Sequence, residues 1–129
     1  MKLNCIEISI NNEELGCQVT FSEKRSLGEK AANMSVQEII DSTGKYLLIQ
    51  RSYADYEDEN EYVYYETHDG NFAGELVDYE ITLSKQCLEL DQTEGKIIVS
   101  ISPTAKEYRE LKKTLPLLVN KSGKLIINE

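Results

Sequence analysis

The sequence predicts one α+β domain spanning residues 1–129. The expected architecture is a mainly antiparallel sheet of about six or seven strands with a C-terminal amphipathic helix and one short helix near residues 36–42. Three observations predict this. Apolar and polar residues alternate in several short runs. The links between those runs are too short for parallel crossovers. After Ser102-Pro103 the apolar period changes from that of a strand to that of a helix.

Ile6, Ile8 and Ile10 alternate with Glu7 and Ser9, as in a half-buried strand. Asn11-Asn12-Glu13-Glu14 reads as a polar turn, and Cys17, Val19 and Phe21 alternate on the far side of it, so the two runs form a hairpin. Residues 22–34 read as a loop. Ser35-Val36-Gln37-Glu38 has the form of a capping box and opens the short helix, which Gly44 stops. Tyr46-Leu47-Leu48-Ile49 is apolar on both faces and is expected to be a central strand covered by a helix. Tyr62-Val63-Tyr64-Tyr65 favours a strand, with alternation burying either Tyr62/Tyr64 or Val63/Tyr65. His68-Asp69-Gly70-Asn71 is a turn in which Asp-Gly can supply a positive φ.

Three runs, Tyr79–Leu83, Leu88–Asp91 and Lys96–Ile101, form an antiparallel meander. Thr104-x-x-Glu107 is a second capping box. Tyr108, Leu111, Leu115 and Leu118 follow it as an apolar helical stripe, with Lys106, Arg109, Lys112 and Lys113 on the wet face. Pro116 is expected to kink or end the helix near Thr114. Leu125-Ile126-Ile127 reads as a last edge strand or a tail.

The composition is 40% hydrophobic and 29% charged, enough apolar material for a core, and the net charge is −9. That charge disfavours binding to nucleic acid or to an anionic membrane surface through the overall field. No apolar run has the ~20 residues a spanning helix needs, and Glu7 interrupts any signal-like core, so a cytoplasmic location is expected. The charge is uneven: residues 55–94 hold thirteen carboxylates and one lysine, Lys85, for −12, and the rest of the chain carries +3. Such asymmetry suits a face that steers a basic partner, although a solvated acidic rim would look the same.

Few residues point to catalysis. The sequence has no G-x-G-x-x-G, no P-loop, no H-E-x-x-H and no G-x-S-x-G. Cys5, Cys17 and Cys87 have no C-x-x-C spacing and read as reduced, buried thiols. His68 is the single histidine, too few for a usual zinc site. Asp55, Glu57, Glu59, Glu61 and Glu66 occupy calcium-loop positions 1, 3, 5, 7 and 12, but Asn60 stands where the loop needs glycine. No cofactor or metal is therefore expected.

Six of the eight tyrosines interleave with these acids. Tyrosine offers rigid contact area with a polar tip. The candidate partner-binding residues are Tyr53, Asp55, Tyr56, Glu57, Asp58, Glu59, Glu61, Tyr65, Glu66 and Asp69.

Several runs bear a family likeness: Gly16-Cys17-Gln18-Val19-Thr20-Phe21, Tyr46-Leu47-Leu48-Ile49-Gln50-Arg51, Tyr64-Tyr65-Glu66, the turn with Gly74, Tyr79–Lys85 with Leu88-Glu89-Leu90, and the terminal helix with Leu111 and Leu115. Over roughly residues 15–119 the chain resembles the tenth-numbered immunity protein family of bacterial polymorphic toxin systems. It departs from that family at Asp69-Gly70, at Glu75 and in the length of residues 22–43. The resemblance implies a non-catalytic cytoplasmic inhibitor that binds a cognate toxin domain. The acidic segment adds that this toxin has a basic surface, as a nuclease often does. A small carboxylate-based metal-binding module or enzyme, and a generic assembly subunit, are the alternatives.

Overall fold

The computed structural model describes residues 1–13, 16–24, 35, 44–52 and 62–128. The expected short helix near 36–42 lies outside them. The described residues are α+β, as expected, but they form ten strands in two five-stranded sheets, rather than six or seven in one, and one helix.

The first sheet contains the meander β7 (Tyr79–Leu83), β8 (Cys87–Gln92) and β9 (Gly95–Ser100). β1 (Lys2–Asn4) pairs parallel with β9 at one edge, and β10 (Gly123–Ile127) pairs parallel with β7 at the other. The second sheet is wholly antiparallel: β2 (Glu7–Glu13), β3 (Gly16–Ser22), β4 (Tyr46–Ser52), β5 (Val63–Thr67) and β6 (Ala73–Glu75), in that order. The terminal run 125–127 is thus a strand. β4 lies centrally in its sheet, between β3 and β5.

Three local expectations are corrected. β2 does not turn at Asn11; Asn11, Asn12 and Glu13 pair with Gln18, Cys17 and Gly16. Polar residues suit this stretch because all three are exposed, on both sides of the end of an edge strand. Ile8 and Ile10 pack on the core, while Ile6 precedes the strand and is exposed. The 68–71 turn exists, but Gly70 does not take a positive φ. Asp69 Oδ1 instead accepts from the Asn71 N–H at 3.0 Å, and Thr67 Oγ1 donates to the Asp69 and Phe72 carbonyls.

The third correction concerns α1, which runs unbroken from Ala105 through Pro116 to Leu118. Its capping box is closed: Thr104 Oγ1 accepts from the Glu107 N–H at 3.1 Å, and Glu107 Oε1 accepts from the Thr104 N–H at 2.9 Å. Because the helix outlasts Thr114, its last turn contains no basic side chain, and the four cations of its wet face sit earlier. Pro116 costs the bond its nitrogen would have given. Burial offsets that cost, since Leu111, Leu115 and Leu118 on the same helix are fully buried, each contributing about 2 kcal/mol relative to exposure.

The inward residues of both sheets share one core with the helical stripe. Cys17, Val19, Phe21, Leu47 and Ile49 come from the second sheet, and Ile81, Leu83, Leu88, Leu90, Ile97 and Val99 from the first. The Tyr65 hydroxyl on β5 donates to Gln92 Oε1 on β8 at 3.2 Å, joining the sheets inside. α1 packs against β2, β3 and β4 and touches β10.

Candidate protein-binding surface

Pairing register determines which side chains leave the core together, because partners across a ladder point to the same side. In the second sheet, Val63 pairs with Arg51 and Tyr65 with Ile49, facing inward. Tyr64 pairs with Gln50 and Glu75, and Glu66 with Leu48 and Ala73, facing outward. On this outward face Tyr46 donates its hydroxyl to Glu66 Oε2 at 2.5 Å. Burial, then the hydrogen bond to Glu66, pushes the Tyr46 phenol up to about 12. The Tyr46 N–H donates to His68 Nδ1 at 3.4 Å.

Tyr62 is 56% exposed, Tyr64 41% and Val77 50%. Leu76 donates its N–H to the Val63 carbonyl, which brings Val77 beside the start of β5. Two tyrosines, an exposed valine and the carboxylate of Glu75 therefore lie together at one end of the outward face. Ser52 and Tyr62, both exposed, bracket the acidic stretch 53–61.

The predicted site residues divide three ways. Tyr53, Asp55, Tyr56, Glu57, Asp58, Glu59 and Glu61 lie outside the described residues, and with them all of the calcium-loop pattern except Glu66. Glu66 is on the outward face, bonded to Tyr46, and Asp69 closes the following turn. Tyr65 is a correction: it is 1% exposed and belongs to the core, so it presents no surface. Burial, then the nearby Glu94 carboxylate, raises its phenol above the ordinary range. Alternation offered either tyrosine register, and the inward Val63 decided it. Tyr62, Tyr64, Glu75 and Val77 were not singled out for the surface, though the alternation that excludes Tyr65 points to Tyr64.

The described carboxylates do not form a single acidic face. Glu80, Glu89 and Asp91 leave the first sheet on its outward side, where Lys2, Lys96 and Lys124 accompany them in register. Lys96 Nζ lies 3.7 Å from Glu89 Oε2. Three acids meet three bases there, and the face is formally neutral. The outward strand positions of the second sheet carry Glu7, Glu13, Glu66 and Glu75 and, among the described residues, no lysine or arginine. The acidic character therefore comes from an absence of cations on one sheet as much as from the cluster of acids in sequence.

No protein-family profile, curated protein or solved structure matches this chain.

Among the described residues no three His, Cys, Asp or Glu side chains gather closely enough to hold a metal ion. No described helix is long and apolar enough to cross a membrane. Cys17 is buried, and burial pushes the Cys5 thiol up to about 11 and raises that of Cys87. A raised thiol is a poor nucleophile because little thiolate is present.

Proposed function

We propose that this chain is a stoichiometric inhibitor that binds and neutralises a cognate bacterial toxin domain with a basic surface, acting as an immunity protein in the cytoplasm without catalysing a reaction. The observation that supports it most is the outward face of the second sheet. Exposed Tyr62 and Tyr64 stand beside Glu75 and Val77, and no cation is present at its described strand positions. Aromatic contact area supplies affinity at a binding surface, and a carboxylate-bearing face speeds encounter with a basic partner. The resemblance in sequence to the immunity family supplies the identity of the partner class.

The test starts from the reading frame upstream of this chain's gene, which is expected to encode a long secreted protein with a variable C-terminal domain, and uses that domain. Binding is expected at nanomolar or tighter Kd, with an on-rate that falls steeply as salt rises. Tyr64→Ala should weaken the complex by at least about 1 kcal/mol. Glu75→Lys should slow association, and Asp91→Lys, on the neutral first sheet, should change it little. An on-rate indifferent to salt, or equal effects of the two charge reversals, would refute this face. Failure of the chain to protect cells from that domain would refute the function.

A further inference from the structure

A cavity of about 530 Å³ lies beside the first half of α1. Its described lining residues have the opposite sign to the chain's net charge of −9. Arg109 and Lys112 come from the helix, and Lys85 comes from the β7–β8 turn. Pro103, Ala105 and Tyr108 supply apolar walls. Tyr108 is 7% exposed, and its buried hydroxyl has no hydrogen-bond partner among the described residues. Lys112 Nζ lies 5.2 Å from the centroid of its ring. The Glu107 carboxylate is held on the Thr104 N–H by the capping box and does not line the cavity. Lys106 and Lys113 extend the basic side next to it, with Glu110 as the acid among them.

We infer that this cavity binds a small organic phosphate, with Lys85, Arg109 and Lys112 on the phosphate group and Pro103, Ala105 and Tyr108 against its organic part. Three cations suit a dianion better than a single carboxylate, and a guanidinium matches phosphate oxygens two at a time. The volume falls in the range of small-ligand sites. The net charge of −9 selects a small ligand, because a polyanion would feel the repulsion of the whole chain. Its residues lie on α1, the segment just before it and the β7–β8 turn, apart from β5 and β6, which carry the tyrosine-bearing face.

The test is an amide chemical-shift titration of the full chain with a nucleoside monophosphate, the matching nucleoside and inorganic phosphate. The monophosphate should produce saturable shifts at Lys85 and over 104–112, with Kd below about 1 mM. It should bind more tightly than either fragment of itself. Arg109→Gln and Lys112→Gln should each weaken it about tenfold, while Lys121→Gln should leave it unchanged. All of these side chains are at least partly exposed, so folding of the variants can be verified from the same spectra. Absence of saturation, equal binding of inorganic phosphate, indifference to the two substitutions, or tighter capture of an acidic peptide or an oligonucleotide would overturn the inference.

Discussion

Arg51 on β4 donates through one guanidinium nitrogen, Nη1, to the carbonyl of Leu117 at 2.9 Å and to that of Val119 at 3.1 Å. The last carbonyls of a helix carry partial negative charge and lack helical partners. The last turn of α1 has no cation of its own, so a neighbouring strand supplies one. Arg51→Ala is expected to lower stability by about 2 kcal/mol, read from the urea midpoint. Arg51→Lys should restore part of it, because an ammonium keeps the charge and loses the planar fork.

Gly123, at the start of β10, lies against the Tyr79 ring so closely that an added Cβ would overlap it. The ring is 3% exposed, and its hydroxyl donates to Asn120 Oδ1 at 3.0 Å while accepting the Asn120 N–H at 3.0 Å. Neither partner can move freely. Gly123→Ala is expected to cost about 2 kcal/mol by overpacking. Combined with Tyr79→Ala it should cost less than the sum of the two single changes. Denaturation of the four proteins in this cycle measures the coupling.

Alkaline pH should destabilise the fold in a defined window. Cys5 titrates near 11 folded against 9.0 as a free group, and Tyr46 near 12 against 10.0. Both hold their protons more tightly when folded. Their stabilisation is whole below the unfolded values and is lost as pH rises through the folded ones. Unfolding free energy should fall between about pH 9 and 12. Tyr46→Phe should make the fall shallower without abolishing it, since the Tyr65 and Tyr79 phenols are raised as well.

The same thiol shift predicts slow alkylation. A thiol held at about 11 rather than 9.0 leaves Cys5 with about 100-fold less thiolate at pH 8 than a free cysteine. Iodoacetamide modification followed by mass spectrometry should show Cys5 reacting far more slowly in the folded chain than in urea. Equal rates would contradict the burial assigned to it.

Features governed by near neighbours in sequence were legible before the structure. The meander from Tyr79 to Ser100 was evident from alternation and short links, and Thr104 with Glu107 from their spacing. β1 and β6 were not, because three residues carry no measurable period. Pro116 misled because its local penalty is outweighed by the burial of Leu115 and Leu118, which depends on distant strands. The division into two sheets was hidden for the same reason: it rests on long-range pairings such as Lys2 with Ile98. For the surface, composition pointed to tyrosine and acid, but only the register placed Tyr64 outside and Tyr65 inside.

The basic flank of α1 and the outward side of the second sheet, whose described strand positions carry no cation, point away from each other, because the helix sits on that sheet's inner side. The described residues are therefore electrically two-ended despite the net charge of −9. In dilute buffer at high protein concentration, copies should attract head to tail, with the cationic end of one on the anionic end of the next. Such head-to-tail contacts close into rings where the rotation between copies permits and otherwise lengthen into open chains. They should dissolve on addition of about 0.15 M salt, a behaviour that light scattering would reveal as an apparent mass that falls with ionic strength.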